Sequence, residues 1–113
     1  MDTKTYHLNS GNYDWAFITI TRGINSDQAF LISIHSSYGS WAFIWNQPGE
    51  DYIKFLETAD KYYTFNKLSN TKKLSINWKY RDSVERKEWT EYENFYEKFW
   101  PKLIEALKKG VQK

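Results

Sequence analysis

The sequence predicts an α+β fold: a three- to four-stranded antiparallel β-meander followed by C-terminal helices packed on the sheet. Three observations predict it. Runs rich in β-branched and aromatic residues alternate with short turn-forming stretches up to Trp45. Past Gly49 the apolar residues fall at spacings of three and four instead. The chain of 113 residues carries 6 Trp, 9 Tyr and 7 Phe, so rings rather than Leu and Val must fill most of its core.

Tyr6 to Asn9 reads as a short strand or strand lead-in, closed by turn chemistry at Ser10-Gly11-Asn12. Tyr13 to Thr21 is a strand, followed by a turn at Gly23 and Asn25-Ser26-Asp27. Phe30 to His35 is the next strand, Ser36 to Ser40 a tight turn or bulge, and Trp41 to Trp45 the last strand. Short connections between these runs make the pairing antiparallel. Alternation puts Trp15 and Phe17 on one face and Ala16, Ile18 and Ile20 on the other. It likewise groups Trp41, Phe43 and Trp45 against Ala42 and Ile44. Both faces are apolar. Either helices cover both, or one face awaits a partner.

Glu50 to Ala59 is expected to be helical, with Glu50 and Asp51 where a helix N-terminus favours negative charge. Asp60 is the expected cap of a second short helix running to Leu68. Leu74 to Trp78 is a candidate short strand, and Asp82 to Glu88 a candidate short helix. Thr90-Glu91-Tyr92-Glu93 fits a capping box, making Thr90 the expected N-cap of the last helix. Tyr92, Phe95, Tyr96, Phe99, Trp100, Leu103 and Leu107 then trace one stripe, with Pro101 inside it as a candidate kink and Gly110 as the expected stop.

The length suits a single domain spanning residues 1–113. Cysteine is absent, which removes disulfides, thiolate nucleophiles and Cys-based zinc sites. No apolar run reaches the ~18 residues a membrane helix needs, and Met1 to Thr5 lacks an apolar signal core, so a cytoplasmic protein with no membrane partner is expected. The formal net charge of +2 is far from the strong acidity of a DNA mimic and the strong basicity of a nucleic-acid coat.

No nucleophile elbow, P-loop or dinucleotide fingerprint is present, and five glycines leave no phosphate cradle. The two histidines, His7 and His35, would be neighbours if their strands pair, with Asp14 close by. Ordinary strand hydrogen bonding explains them better than a metal or catalytic role, so no metal, no cofactor and no enzymatic activity are expected. Lys72, Lys73, Lys79 and Arg81 form a basic stretch with Trp78 and Tyr80 interleaved. Cations beside rings suit single-stranded nucleic acid, through phosphate contacts and base stacking. The same residues also suit a solvated loop or a strand edge guarded by lysine.

Ser37-Tyr38-Gly39-Ser40-Trp41-Ala42-Phe43-Ile44-Trp45, followed by Phe55-Leu56, Asp60-Lys61-Tyr62-Tyr63 and Lys67-Leu68, resembles a group of small, mostly uncharacterised phage and prophage accessory proteins. The resemblance covers about Trp15 to Leu68. It implies a non-enzymatic inhibitor of host defence acting in the host cytoplasm, such as an anti-CRISPR protein, with a defence-system protein as partner. On that reading Tyr38, Trp41, Phe43 and Trp45 form the expected contact surface. Nucleic-acid binding through the Lys72 to Arg81 stretch is the alternative, and an uncovered aromatic face would also suit a homodimer seam.

Overall fold

Alternating strands with an isoleucine-rich face pair in chain order. In a computed structural model, which describes residues 2–11, 13–24, 29–46, 51–68 and 83–111, β1 (Asp2–Asn9), β2 (Trp15–Arg22), β3 (Phe30–Ser36) and β4 (Gly39–Trp45) form one antiparallel sheet ordered β1-β2-β3-β4. Three helices follow: α1 (Tyr52–Thr58), α2 (Lys61–Leu68) and α3 (Ser83–Val111). The meander with C-terminal helices packed on it is the expected architecture. The first strand is longer than the expected lead-in, because Thr3 and Thr5 continue its pairing with Thr21 and Thr19.

Register decides which residues the helices cover. Ile18 pairs with Ile34 and Ile34 with Trp41; Arg22 pairs with Phe30 and Phe30 with Trp45. These residues share the face turned toward α3. Ala16, Ile18, Ile20, Phe30, Ile32 and Ile34 are buried there, and Trp41 and Trp45 keep only 4% and 6% of their surface. From the helices come Leu56, Phe65, Leu68, Tyr92, Phe95, Phe99, Trp100, Leu103 and Leu107, joined to the sheet residues in one buried cluster. Each fully buried side chain of this size contributes about 1.5–3 kcal/mol from area removed from water.

The β3–β4 hairpin fixes that register. Ser36 Oγ donates to Gly39 O at 2.8 Å, and the backbone N–H groups of Tyr38 and Gly39 both approach the same hydroxyl at 3.2 Å. Gly39 has φ +150°, and a Cβ there would stand 2.9 Å from the Trp41 indole. The turn therefore needs glycine both for its backbone and for the ring lying across it.

The helix ends are local chemistry. Asp51 caps α1, accepting from the backbone N–H of Ile53 at 3.2 Å and Lys54 at 3.4 Å. Asp60 caps α2 as expected, accepting from Tyr63 N–H at 2.8 Å. Thr90 is not an N-cap: it lies inside α3. One turn before Tyr92, Trp89 already packs on Tyr62 and Phe65 with ring centroids 5.1 Å apart, so the apolar stripe runs through Thr90 and the helix with it. A threonine in a helix interior costs only some tenths of a kcal/mol, which this packing outweighs. The helix also runs through Pro101 and one residue past Gly110. Core rings and leucines on both sides of the proline hold the helix where its backbone hydrogen bond is missing.

Polar atoms inside the packing of the helices on one another and on the sheet are matched. Trp100 Nε1 donates to Leu56 O at 2.9 Å, Tyr96 Oη to Ala59 O at 2.7 Å, and Trp45 Nε1 to Tyr63 Oη at 3.1 Å. The buried hydroxyls of Thr64 and Tyr92 bond each other, and burial raises the Tyr92 phenol well above its ordinary range. Lys61 bridges to Glu93 at 2.7 Å and Glu97 at 3.2 Å, tying α2 to α3; those two hydrogen bonds hold its ammonium protonated.

Gly39→Ala is expected to cost about 1–3 kcal/mol in chemical denaturation, from backbone strain and displacement of the Trp41 ring. A variant as stable as the parent would show that the indole does not rest on this turn.

Candidate functional site: the outer face of the sheet

Side chains that alternate away from the core make up the other face of the sheet, and none of the described helices lies on it. Its rows follow from register. Asn9 pairs with Trp15. His7, Phe17, His35 and Ser40 form the next row, Thr5, Thr19, Ser33 and Ala42 the third, and Thr3, Thr21, Leu31 and Ile44 the fourth. No Lys, Arg, Asp or Glu stands in any of these rows, in a chain that is 27% charged. An ordinary wet sheet face would carry several such residues.

Two further features distinguish the face. Rings gather at one end: His7 stacks on Phe17 with centroids 4.3 Å apart, while Trp15 lies 5.7 Å from Phe17 and 5.1 Å from His35. Phe17 is 41% exposed, and Tyr13, at φ 71° in the turn leading to this end, is 98% exposed. Three pairs of polar side chains are also matched across strands. Thr3 and Thr21 hydroxyls lie 3.1 Å apart, those of Thr5 and Thr19 3.0 Å, and His35 Nδ1 is 2.9 Å from Ser40 Oγ. A partner seated here would leave those hydroxyls bonded, avoiding the roughly 1–3 kcal/mol that each orphaned polar group costs.

The expected contact residues lie elsewhere. Trp41 and Trp45 are core, because their register places them on the isoleucine face. Trp41 meets Tyr92 edge-on at 5.1 Å, and Trp45 stacks on Phe30 at 5.3 Å. Phe43 is half-buried on the same side, edge-on to Trp45 at 4.8 Å. Buried rings cannot meet a partner without unfolding, and the exposed side chains of this strand, Ser40 and Ala42, lie on the opposite face. Part of the signal is in the sequence: Trp15 and Phe17 alternate against Ala16, Ile18 and Ile20. Lys72, Lys73, Trp78, Lys79, Tyr80 and Arg81, the alternative nucleic-acid set, lie outside the described residues, as does the candidate strand from Leu74 to Trp78.

Tyr38 belongs to a clasp at the sheet's end. Its hydroxyl donates to Asp14 Oδ2 at 2.8 Å and accepts from Lys98 Nζ, which also reaches Asp14 Oδ2 at 3.0 Å. Ser37 Oγ reaches the other carboxylate oxygen at 3.4 Å. The Tyr38 and Lys98 hydrogen bonds hold the Asp14 carboxyl below its usual range, and the same contacts raise the Lys98 ammonium. The clasp fastens α3 to the β1–β2 and β3–β4 turns. Asp14 is thus bonded to lysine and tyrosine rather than poised beside His7 or His35. Among the described residues no group of three or more His, Asp or Glu is placed to hold a metal ion, and no helix is long and apolar enough to cross a membrane. A shallow groove between α1 and α3 is lined by Tyr96, Trp100 and Ile104, but its ring polar atoms already bond Ala59 and Leu56, and its rim carries the Glu57–Lys108 pair.

Because the folded Asp14 carboxyl titrates below its unfolded value, its stabilising contribution is present above about pH 4 and disappears as pH falls through the folded value. Asp14→Asn should therefore lower the melting temperature near neutrality, with the difference from the parent shrinking toward zero in acid. A difference independent of pH would mean that the clasp does not depend on the carboxylate.

The model of a phage family, Phage_phiTE_072, matches residues 2–97, from the start of β1 well into α3. No match emerges among curated proteins or among solved structures. The family match spans the whole sheet and most of the chain, and the chain belongs to this phage family.

Proposed function

We propose that this phage protein is a non-enzymatic accessory protein that binds a host protein, as a stoichiometric inhibitor of a defence-system component such as a CRISPR effector or another anti-phage nuclease, in the host cytoplasm. The observation that carries the reading is the outer face: an uncharged sheet surface with rings at one end and its Thr3–Thr21, Thr5–Thr19 and His35–Ser40 side chains paired across strands. Trp and Tyr are the side chains that most often anchor protein interfaces, and Tyr13 and Trp15 stand at that end. A surface without cations does not hold phosphate, and a net charge of +2 does not imitate DNA, so the face favours docking on protein. Phage accessory proteins meet host defences inside the cell, where an inhibitor without chemistry of its own works by occupying a surface. Nucleic-acid binding through Lys72 to Arg81 gains no support from the face, which has no cation to join that stretch.

The test is phage plating on hosts carrying individual defence systems, with the protein expressed from a plasmid. Wild type should restore plating against one system. The Trp15→Ala/Phe17→Lys variant should fail while retaining its fold by circular dichroism, and should bind the isolated target about thirtyfold or more weakly. Equal protection by the variant would remove the outer face from the account. Protection against none of the systems would remove the inhibitor reading.

A further inference from the structure

We infer that Tyr13 is the anchor of the proposed interface: a ring held out from the fold, at a cost in stability, to enter a pocket of the target protein. The inference rests on the reading of this chain as a protein-binding inhibitor and goes beyond it, because the outer face without Tyr13 still offers Trp15 and Phe17. Conformation is the first argument. Tyr13 has φ 71° and is the one non-glycine residue in the left-handed region among the described residues. There the Cβ of an L residue crowds the carbonyl oxygen that follows it. Glycine, asparagine and aspartate fill such turn positions with the least strain, and a bulky ring is an outlier. Strain of this kind persists where the surroundings enforce it, and it gathers at sites of function.

Exposure supplies the second argument. The side chain is 98% exposed, and among the described residues it meets no other ring and makes no hydrogen bond. It therefore returns nothing to the fold that would offset the strain. The turn around it is nevertheless tied down. Asp14 N–H donates to Gly11 O at 3.1 Å, and Ser10 N–H donates to Asp14 O at 3.2 Å. The Asp14 carboxylate is gripped by Tyr38, Lys98 and Ser37. Trp15 N–H reaches Ser37 Oγ at 3.3 Å, and Ser37 N–H donates to Trp15 O at 3.0 Å. Tyr13 is thus presented in a fixed place by bonded neighbours, which lowers the ordering cost of binding.

The side chain's own shape and chemistry describe what it fits. A ring that projects from a turn without neighbours fills a concavity rather than a flat surface. A phenol has an apolar body and a hydrogen-bonding tip, so the pocket has apolar walls and a polar group at its floor. Ser10 to Trp15 contains no Lys or Arg, and Lys98, which reaches this turn, is bonded to Asp14. The turn therefore has no free cation to hold phosphate, and the ring suits a protein pocket rather than a nucleic-acid backbone.

The experiment carries Tyr13→Asn and Tyr13→Phe, in the full chain, through thermal melting and the plating assay with its isolated target. Tyr13→Asn should melt about 2–4 °C above the parent, because asparagine accepts the left-handed backbone. The same variant should lose protection and bind the target about thirtyfold or more weakly. Tyr13→Phe should melt with the parent and bind about tenfold more weakly, from loss of the phenol's hydrogen bond. Stability gained together with binding lost is the signature, since a residue that served the fold would lose both. Tyr13→Asn that melts no higher than the parent overturns the inference, because the ring is then not held at a cost. Tyr13→Asn that protects like wild type also overturns it, and leaves the outer-face reading standing if Trp15→Ala/Phe17→Lys still fails. Tyr13→Phe that binds like wild type overturns the polar floor of the pocket. Wild type that protects against no system removes the inhibitor reading and this inference with it.

Discussion

Trp41 is the side chain on which the two halves of the molecule meet. Its ring lies across Gly39 on one side and meets Tyr92 edge-on at 5.1 Å and Phe95 at 5.6 Å on the other. Fixing one indole between a hairpin glycine and the long helix fixes the face on which α3 sits. Once α3 lies there, Phe95, Phe99, Leu103 and Leu107 have only the isoleucine face to fill. The Asp14–Tyr38–Lys98 clasp then holds the helix against the turns at the sheet's end.

That choice determines what is left over. A sheet has two faces, and the described helices all pack on one. The opposite face keeps rings, hydroxyls and small apolar groups where a solvent-facing sheet would place lysine and glutamate. The absence of charge costs solubility rather than stability, so fold stability does not require it. The hydroxyl pairs fit the same account, since they keep each other bonded whether water or protein lies above them.

The fold was legible because strand alternation and helical spacing are written into short windows. Ile18, Ile20, Ile32 and Ile34 announce a core face, and Asp60 caps α2 from a pattern three residues long. The capping box at Thr90 misled because it is equally local: whether a helix begins there depends on Trp89 touching Phe65, which lies far away in sequence. The site was half legible. Alternation places Trp15 and Phe17 together, yet choosing between that face and the one bearing Trp41 and Trp45 requires cross-strand register. The Ser36–Gly39 turn sets that register through hydrogen bonds to and from a single serine hydroxyl. Aromatic content alone favoured the wrong strand, since tryptophan serves a core and an interface equally well.

The central claim is that one sheet carries a sealed face and an uncharged one that no described helix covers. The most direct measurement is NMR of the methyl- and phenyl-labelled protein, at a concentration where it is monomeric, with a soluble paramagnetic agent. The account predicts rapid relaxation of Thr5, Ala42 and Phe17 on the outer face, and protection of Ile18, Ile32 and Ile34 on the inner one. Outer-face signals as protected as those of Ile32 in the dilute monomer would contradict it, because the chain would then be covering both faces itself.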